Sequence, residues 1–205
     1  MQQQLLKMLE MQDAMNTKVN AHWRDQGFAW YRAIWVECAE LMDHYGWKWW
    51  KKQSPDMAQV NLELVDIWHF GLSDLLQGAG NVDDLAKALD AELRKVPESV
   101  AEFRIELEDF VAGVVSTKSF NLVGFCRVLA AAEFSFEQLY LQYMGKNVLN
   151  FFRQDHGYKD GSYHKIWQGK EDNEHLVEVL SELDIKSLTF QTDVYEALQA
   201  RYPAD

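Results

Sequence analysis

Two pairs of carboxylates place the strongest constraint on how this chain folds. Glu37 and Glu40 form one pair, and Glu63 and Asp66 form the other, each with a spacing of three residues. That spacing puts both acids of a pair on one face of a helix, with Cβ atoms about 5–6 Å apart. When two such helices face one another, the acids repel strongly unless a hard divalent cation such as Mg²⁺ lies between them. The pairs therefore predict a metal site that can also hold phosphate oxygens.

The neighbours of each pair decide between a metal site and an ordinary solvated helix face. Both pairs lie in apolar segments, residues 35–41 and 62–68, where acidic side chains are rarely buried without a partner. This context favours metal binding. A second hypothesis is a di-iron carboxylate bundle, which draws ligands from Glu-x-x-His elements. Asp66-Ile-Trp-His69 imitates one such element, and His44 follows Glu40 by four residues.

Composition limits the kind of protein that the chain can be. Its 205 residues are 48% hydrophobic, with only 3 Pro and 11 Gly, so we expect a single helix-rich domain over residues 1–205. A net charge of −12 argues against general binding to nucleic acid or to an anionic membrane. Cys38 and Cys126 lie in apolar contexts that are typical of buried, reduced thiols. Since no segment approaches the roughly 18 apolar residues that span a bilayer, we expect a cytoplasmic protein.

Apolar residues recur at helical intervals along most of the chain, which predicts an all-α fold with short connections. The predicted helices cover residues 3–21, 31–45 and 135–156, with two or three more over residues 81–131. Another helix starts at Ser54-Pro55-Asp56, with Ser54 as its N-cap. Breaks are expected near residues 78–80, Pro97 and Gly113.

A cluster of cations and amides near residue 150 predicts phosphate binding. Lys146, Asn150 and Arg153 are spaced by four and three residues, so they share a helix face. Tyr158 and Lys159 follow in a glycine-marked loop and add a hydroxyl and a cation. The alternative is an ordinary amphipathic helix with a charged outer face.

Three smaller features each have two interpretations. Gln12 and Asn16, four residues apart, present amides that can bind a nucleobase edge, although surface amides are common. Trp47 and its neighbours Trp49 and Trp50 can stack on a base, or fill the core and a subunit contact. Asp172-Asn173 can take part in a site or serve as a helix N-cap.

Together these residues resemble the dimeric, all-α dUTP diphosphatases, which belong with the MazG-like nucleoside triphosphate pyrophosphohydrolases. The acidic pairs alone would indicate only the superfamily, whereas the blocks beginning at Gly145 and Gly157 are more specific to the dUTP enzymes. The resemblance is carried by Leu9-Glu-Met-Gln-Asp-Ala-Met-Asn16, Glu37-Cys-Ala-Glu-Leu41, Glu63-Leu-Val-Asp-Ile-Trp-His-Phe70, Gly145-Lys-Asn-Val-Leu-Asn-Phe-Phe-Arg153, Gly157-Tyr-Lys-Asp-Gly-Ser-Tyr163 and Trp167-Gln-Gly-Lys-Glu-Asp-Asn173.

The resemblance implies a role for each candidate residue. It implies that Glu37, Glu40, Glu63 and Asp66 bind two or more Mg²⁺ ions, with Glu37 or Glu40 activating the attacking water. It implies that the base and deoxyribose are bound by Gln12, Asn16, Trp47, His69 and Phe70. It implies a phosphate clamp formed by Lys146, Asn150, Arg153, Tyr158 and Lys159, with Asn147 and Asn173 closing the site.

The expected activity is Mg²⁺-dependent hydrolysis of dUTP, and also of dUDP, with dUMP and pyrophosphate as the products from dUTP. Such an enzyme limits the incorporation of uracil into DNA, and the resemblance implies a homodimer. Alternatives of two kinds stay open at this point. One is a related pyrophosphohydrolase for another pyrimidine, such as dCTP. The other is a helical dimer that binds metal without catalysis, or the di-iron bundle.

Overall fold

Helices account for most of the structure. The computed structural model describes residues 1–95, 100–185 and 187–203, and within those residues the all-α prediction is confirmed. The helices are α1 (Gln2–Val19), α2 (Trp30–Tyr45), α3 (Met57–Gln77), α4 (Val82–Leu93), α5 (Phe103–Thr117), α6 (Leu122–Ala131), α7 (Phe136–Asp155), α8 (Asp172–Glu182) and α9 (Phe190–Arg201). A short 3-10 helix covers Trp23–Gln26, and two-residue strands β1 (Ile166–Trp167) and β2 (Lys170–Glu171) pair antiparallel.

The chain divides into two compact units, Met1–Tyr140 and Leu141–Asp205. The boundary falls inside α7. The assignment of residues 1–205 to a single domain stays a prediction. No helix in the described ranges is both long and apolar enough to cross a membrane.

Helix α3 is the centre of the first unit. It packs along α2 and also contacts α1, while α5 contacts α2 and α6. Its residue Trp68 is buried, stacks on Phe125 with ring centroids 5.5 Å apart, and lies edge-on to Phe120. Aromatic packing of this kind buries a large apolar area. It fixes α3, and with it the acidic residues that α3 carries.

The helix boundaries correct two details of the sequence prediction. Asp56, not Ser54, is the N-cap of α3, since its side chain accepts a hydrogen bond from the Gln59 backbone N–H at 3.3 Å. The expected break at Gly113 is wrong, because this residue lies inside α5. There a Cβ would lie 3.1 Å from Asn121 Nδ2, so close packing accounts for this glycine. The expected break near Pro97 lies outside the described residues.

Other boundaries agree with the sequence. Gly46 ends α2 at φ +92°, a conformation that favours glycine. Ser135 and Gln138 exchange the hydrogen bonds of a capping box at the start of α7, where the sequence predicts a helix to begin. Cys38 and Cys126 are both buried and free, which agrees with the expected buried thiols.

The second unit has an aromatic core of its own. Trp167 is buried, and its ring lies 5.7 Å from that of Phe152 and 5.1 Å from that of Tyr202, centroid to centroid. The β1–β2 hairpin thereby anchors to α7. Helix α8 starts with a capping box between Glu171 and Glu174, so the alternative of Asp172-Asn173 as the N-cap is wrong and both side chains are available for other contacts.

A buried ion pair in the first unit makes stability depend on pH. Glu106 is buried and accepts hydrogen bonds from Arg127 Nε at 2.7 Å and Nη2 at 2.6 Å. These bonds hold the pKa of Glu106 below its usual value. A lowered folded-state pKa contributes stability above the ordinary carboxyl pKa, and this contribution is lost as pH falls through the folded-state value.

We expect Glu106→Gln to lower the free energy of unfolding at pH 7 and to converge on the wild type as pH falls below the ordinary carboxyl range. Denaturant titrations across pH measure this. Glu108→Gln, an exposed site on the same helix, is the matched control and should change little. A gap between Glu106→Gln and wild type that did not depend on pH would contradict the prediction.

Candidate metal and nucleotide site

The packing of α2 against α3 brings three carboxylates together. Glu37 on α2 and Glu63 and Asp66 on α3 each offer an oxygen, and these oxygens all lie within 4.8 Å of one another. Glu63 is buried, while Glu37 and Asp66 are partly exposed. Helix packing therefore brings together three of the four carboxylates that the sequence analysis singles out.

The electrostatics of this carboxylate group favour a cation. Burial raises the pKa of Glu37 to about 9, with further increases from Asp66, from a hydrogen bond to Glu63 and from the charges of Glu63 and Glu40. Without a counter-ion, a carboxyl group in this position holds its proton at neutral pH. A hard divalent ion relieves the same repulsion and takes oxygen ligands. The donor set therefore fits Mg²⁺.

Glu40 lies outside the group of three. It is exposed on α2 and acts on Glu37 through its charge. It also lines a shallow depression on α2 beside Asp43 and His44. Its assignment as a fourth metal ligand, or as the residue that activates water, stays a prediction.

Histidines do not belong to the carboxylate group within the described ranges. His44 Nε2 lies 3.6 Å from Glu63 Oε1, at the edge of the group. His69 is buried, and its Nδ1 is 2.8 Å from the Val65 carbonyl oxygen, where Nδ1–H donates along α3. An all-oxygen group favours Mg²⁺ over the di-iron alternative, which draws on Glu-x-x-His ligands.

The two amides proposed for base recognition are buried and linked. Gln12 Nε2 donates to Asn16 Oδ1 at 3.1 Å, and both amide nitrogens lie 3.0 Å from the Ser73 hydroxyl oxygen. All three residues are buried. The alternative, in which Gln12 and Asn16 are ordinary surface amides, is therefore wrong. Sequence reasoning missed Ser73, although a serine one helical turn after His69 on an apolar helix was a usable signal.

Phe70 contacts an aromatic residue that the sequence analysis did not single out. Its ring stacks on Trp30 with centroids 6.3 Å apart and an interplanar angle of 30°. The Trp30 indole N–H donates to Gln77 Oε1 at 2.9 Å. Trp30 therefore orients Phe70, which follows His69 in the predicted base pocket.

Trp47 lies in the connection between α2 and α3. It is 45% exposed, donates its indole N–H to Asp43 at 2.9 Å and lies edge-on to Trp50, 5.3 Å between centroids. Trp49 and Trp50 are exposed as well, so the interpretation of these three tryptophans as core residues is wrong. A role for Trp47 in base binding stays a prediction.

The second unit contains the predicted phosphate-binding side chains, and several of them are in contact. Lys146 is buried and its Nζ donates to Asn173 Oδ1 at 2.9 Å. Arg153 Nη1 donates to Asn150 Oδ1 at 3.3 Å, and Arg153 Nη2 lies 3.4 Å from Asn173 Oδ1. The alternative of a charged outer helix face is wrong for Lys146, because this side chain is inside the unit.

Asp172 organises this cluster, a role that the sequence analysis does not assign to it. It is buried and accepts hydrogen bonds from Arg153 Nε at 2.8 Å, Arg153 Nη2 at 3.0 Å and the Tyr163 hydroxyl at 2.8 Å. Burial acts to raise the pKa of Asp172, but the Arg153 and Tyr163 contacts outweigh it and the pKa lies below its usual value. The carboxylate therefore holds the Arg153 guanidinium in one orientation.

The remaining candidates of this unit differ in exposure. Tyr158 is 51% exposed, and its ring lies 5.7 Å from the Arg153 guanidinium carbon. Lys159 is exposed in the loop that follows α7. Asn147 is buried against Tyr143, with its amide nitrogen 3.4 Å from the hydroxyl. Its predicted role in closing the site stays a prediction.

Comparison with known proteins identifies the class of enzyme. A protein-family model described as dUTPase matches residues 4–158. The chain therefore belongs to the dUTPase family. It is a hydrolase of nucleotide metabolism, a dUTP diphosphatase whose substrate is dUTP. No curated protein sequence gives a significant match to the chain.

The Arg153–Asp172 pair should be important for the stability of the second unit. We expect Asp172→Asn to lower the free energy of unfolding by about 3 kcal/mol at pH 7, because removing one partner of a buried ion pair leaves the other charge poorly compensated. Thermal and denaturant unfolding measure the loss. Glu196→Gln, an exposed acid on α9, makes the same charge change and should have little effect. Equal stabilities for the two variants would contradict this account.

Proposed function

We propose that the dUTP hydrolysis of this enzyme depends on Mg²⁺ held by the carboxylate group of α2 and α3. The observation that supports this proposal is the clustering of Glu37, Glu63 and Asp66 oxygens within 4.8 Å, together with the raised pKa of Glu37. Glu40 is the proposed fourth ligand. Four carboxylates on two helices have room for two or more ions, as in other phosphoryl-transfer sites.

Bound Mg²⁺ lowers the pKa of a coordinated water and neutralises charge that develops on the phosphate oxygens. The chain supplies the remaining functions. Glu37 or Glu40 orients the attacking water or accepts its proton. His69 and Phe70 line the deoxyribose and base pocket, and Trp47 is proposed to cover it. The products from dUTP are dUMP and pyrophosphate, and dUDP is a second substrate.

Base recognition is assigned to Gln12 and Asn16. Their amides are buried and held in one hydrogen-bonded network, and a preorganised pair of amides can match the donors and acceptors of uracil. The outcome is a pool of dUTP low enough to limit uracil incorporation into DNA. A dCTP-directed enzyme is the alternative result of a substrate test.

Phosphate binding is assigned to side chains of the second unit. Arg153 presents a guanidinium that Asp172 orients, and Lys146 adds a buried cation beside Asn173. Planar guanidinium groups suit phosphate oxygens. The other members proposed for this cluster are Asn150, Tyr158, Lys159 and Asn147.

We also propose the MazG-like superfamily relationship and the homodimer that the resemblance implies. Trp35 and Val36 on α2 are 42% and 41% exposed and flank the depression next to Glu40. Exposed apolar groups of this kind are typical of interfaces. The cytoplasmic location and the absence of stable nucleic-acid binding stay predictions.

Neutralising one carboxylate of the group should lower activity and raise thermal stability. We expect Glu63→Gln and Asp66→Asn to lower kcat/KM for dUTP by more than about 100-fold, since even residues that only support metal ligands contribute about 10–100-fold. Both variants should raise the melting temperature in chelator, because they relieve repulsion among the acids. Pyrophosphate release and thermal unfolding provide the two measurements.

The control for these variants is Glu108→Gln, which removes one exposed charge from α5. It should keep wild-type turnover and melting temperature. Near-normal activity of Asp66→Asn at saturating Mg²⁺, or full wild-type activity in chelator, would contradict the proposed metal dependence.

The dimer proposal predicts the effect of a charge at Trp35. Sedimentation velocity should show a wild-type dimer, and Trp35→Glu should weaken association by more than about tenfold, because it places a charge in an apolar contact. Ile105→Glu, at a comparably exposed apolar site on α5, should leave the dimer intact. A monomeric wild type, or dissociation by both variants, would overturn this assignment of the interface.

A further inference from the structure

Ser73 is fully buried on α3 and contacts both amides of the proposed base reader. Its hydroxyl oxygen lies 3.0 Å from Gln12 Nε2 and 3.0 Å from Asn16 Nδ2. The same hydroxyl lies 2.9 Å from the carbonyl oxygen of His69, one helical turn earlier. One small side chain therefore joins α1 to the His69 region of α3.

The hydrogen-bonding capacity of this hydroxyl is fully used. A serine hydroxyl has one proton to donate and two lone pairs to accept with. Because the His69 carbonyl is only an acceptor, the Ser73 proton points to it, and the lone pairs face α1. The two amide N–H groups occupy these lone pairs. Ser73 thus acts on its neighbours and has no remaining group for a ligand.

This arrangement fixes the sense of both amides. Rotating either amide by 180° would place its oxygen against the Ser73 lone pairs, with no proton between them. Gln12 Nε2 also donates to Asn16 Oδ1 at 3.1 Å, so the orientation of one amide determines the orientation of the other. Since the network is buried, water cannot compensate for a reversed amide at low cost.

Uracil and cytosine differ in the sense of their hydrogen-bonding edges. Uracil presents a donor at N3 and an acceptor at C4, whereas cytosine presents an acceptor at N3 and an amino donor at C4. An amide that can rotate matches either base, but an amide of fixed sense matches only one. We propose that Ser73 is a positioning residue that makes the pocket selective for uracil over cytosine. This proposal rests on the proposed role of Gln12 and Asn16 in base recognition.

The test is the ratio of kcat/KM for dUTP to kcat/KM for dCTP in Ser73→Ala. Alanine keeps the helix but removes the acceptor that holds both amide nitrogens, so the two amides can reverse together and keep a hydrogen bond between them. The ratio should then fall about tenfold, the discrimination typical of one buried hydrogen bond. The change should lie mainly in KM, because the carboxylate group is untouched. Ser116→Ala, which removes a similar hydroxyl contact to the Gly113 carbonyl on α5, is the matched control and should keep the wild-type ratio.

Equal losses for dUTP and dCTP in Ser73→Ala would overturn the inference, because they would indicate a purely structural role. An unchanged ratio with unchanged turnover would overturn it as well. Gln12→Ala and Asn16→Ala, measured in parallel, separate the two proposals. If these variants leave the ratio unchanged, the base-reader assignment fails, whereas a changed ratio there and none in Ser73→Ala rejects the Ser73 role alone.

Discussion

Repulsion among carboxylates on two packed helices is the constraint on which the rest of this structure depends. Apolar packing of α3, including the stack of Trp68 on Phe125, keeps Glu63 and Asp66 opposite Glu37 although their charges oppose it. Burial, together with the neighbouring acids Asp66, Glu63 and Glu40, raises the pKa of Glu37. Holding acidic groups together in this way lowers the free energy of unfolding, and a bound divalent cation would offset that cost.

Buried hydrogen bonds inside each unit hold polar side chains in fixed orientations. Ser73 holds the Gln12 and Asn16 amides on the apolar side of α3, and Asp172 holds the Arg153 guanidinium in the second unit. Buried polar groups are costly unless their hydrogen bonds are satisfied. Where they are satisfied, as here, they fix the directions of hydrogen-bond donors and acceptors inside each unit.

The sequence predicts the helices, and three of the four carboxylates that come together, because both depend on local spacing. A repeat of three or four residues is enough to place Glu63 and Asp66 on one face, and capping patterns such as Ser135 mark a helix start. It fails where the determining contact is distant along the chain. Ser73 depends on contact with residues about 60 positions earlier, and Gly113 depends on packing against Asn121. Asp172 was misread because its partner Arg153 precedes it by a loop and a hairpin.

The most direct test of the account is a crystal structure of the enzyme with Mn²⁺ and a non-hydrolysable α,β-imido analogue of dUTP, with the metal located by anomalous scattering. The account predicts metal ions bound to oxygens of Glu37, Glu63 and Asp66, with the uracil edge against Gln12 and Asn16. Metal bound to other residues, or a base bound away from these amides with the carboxylates unliganded, would contradict it.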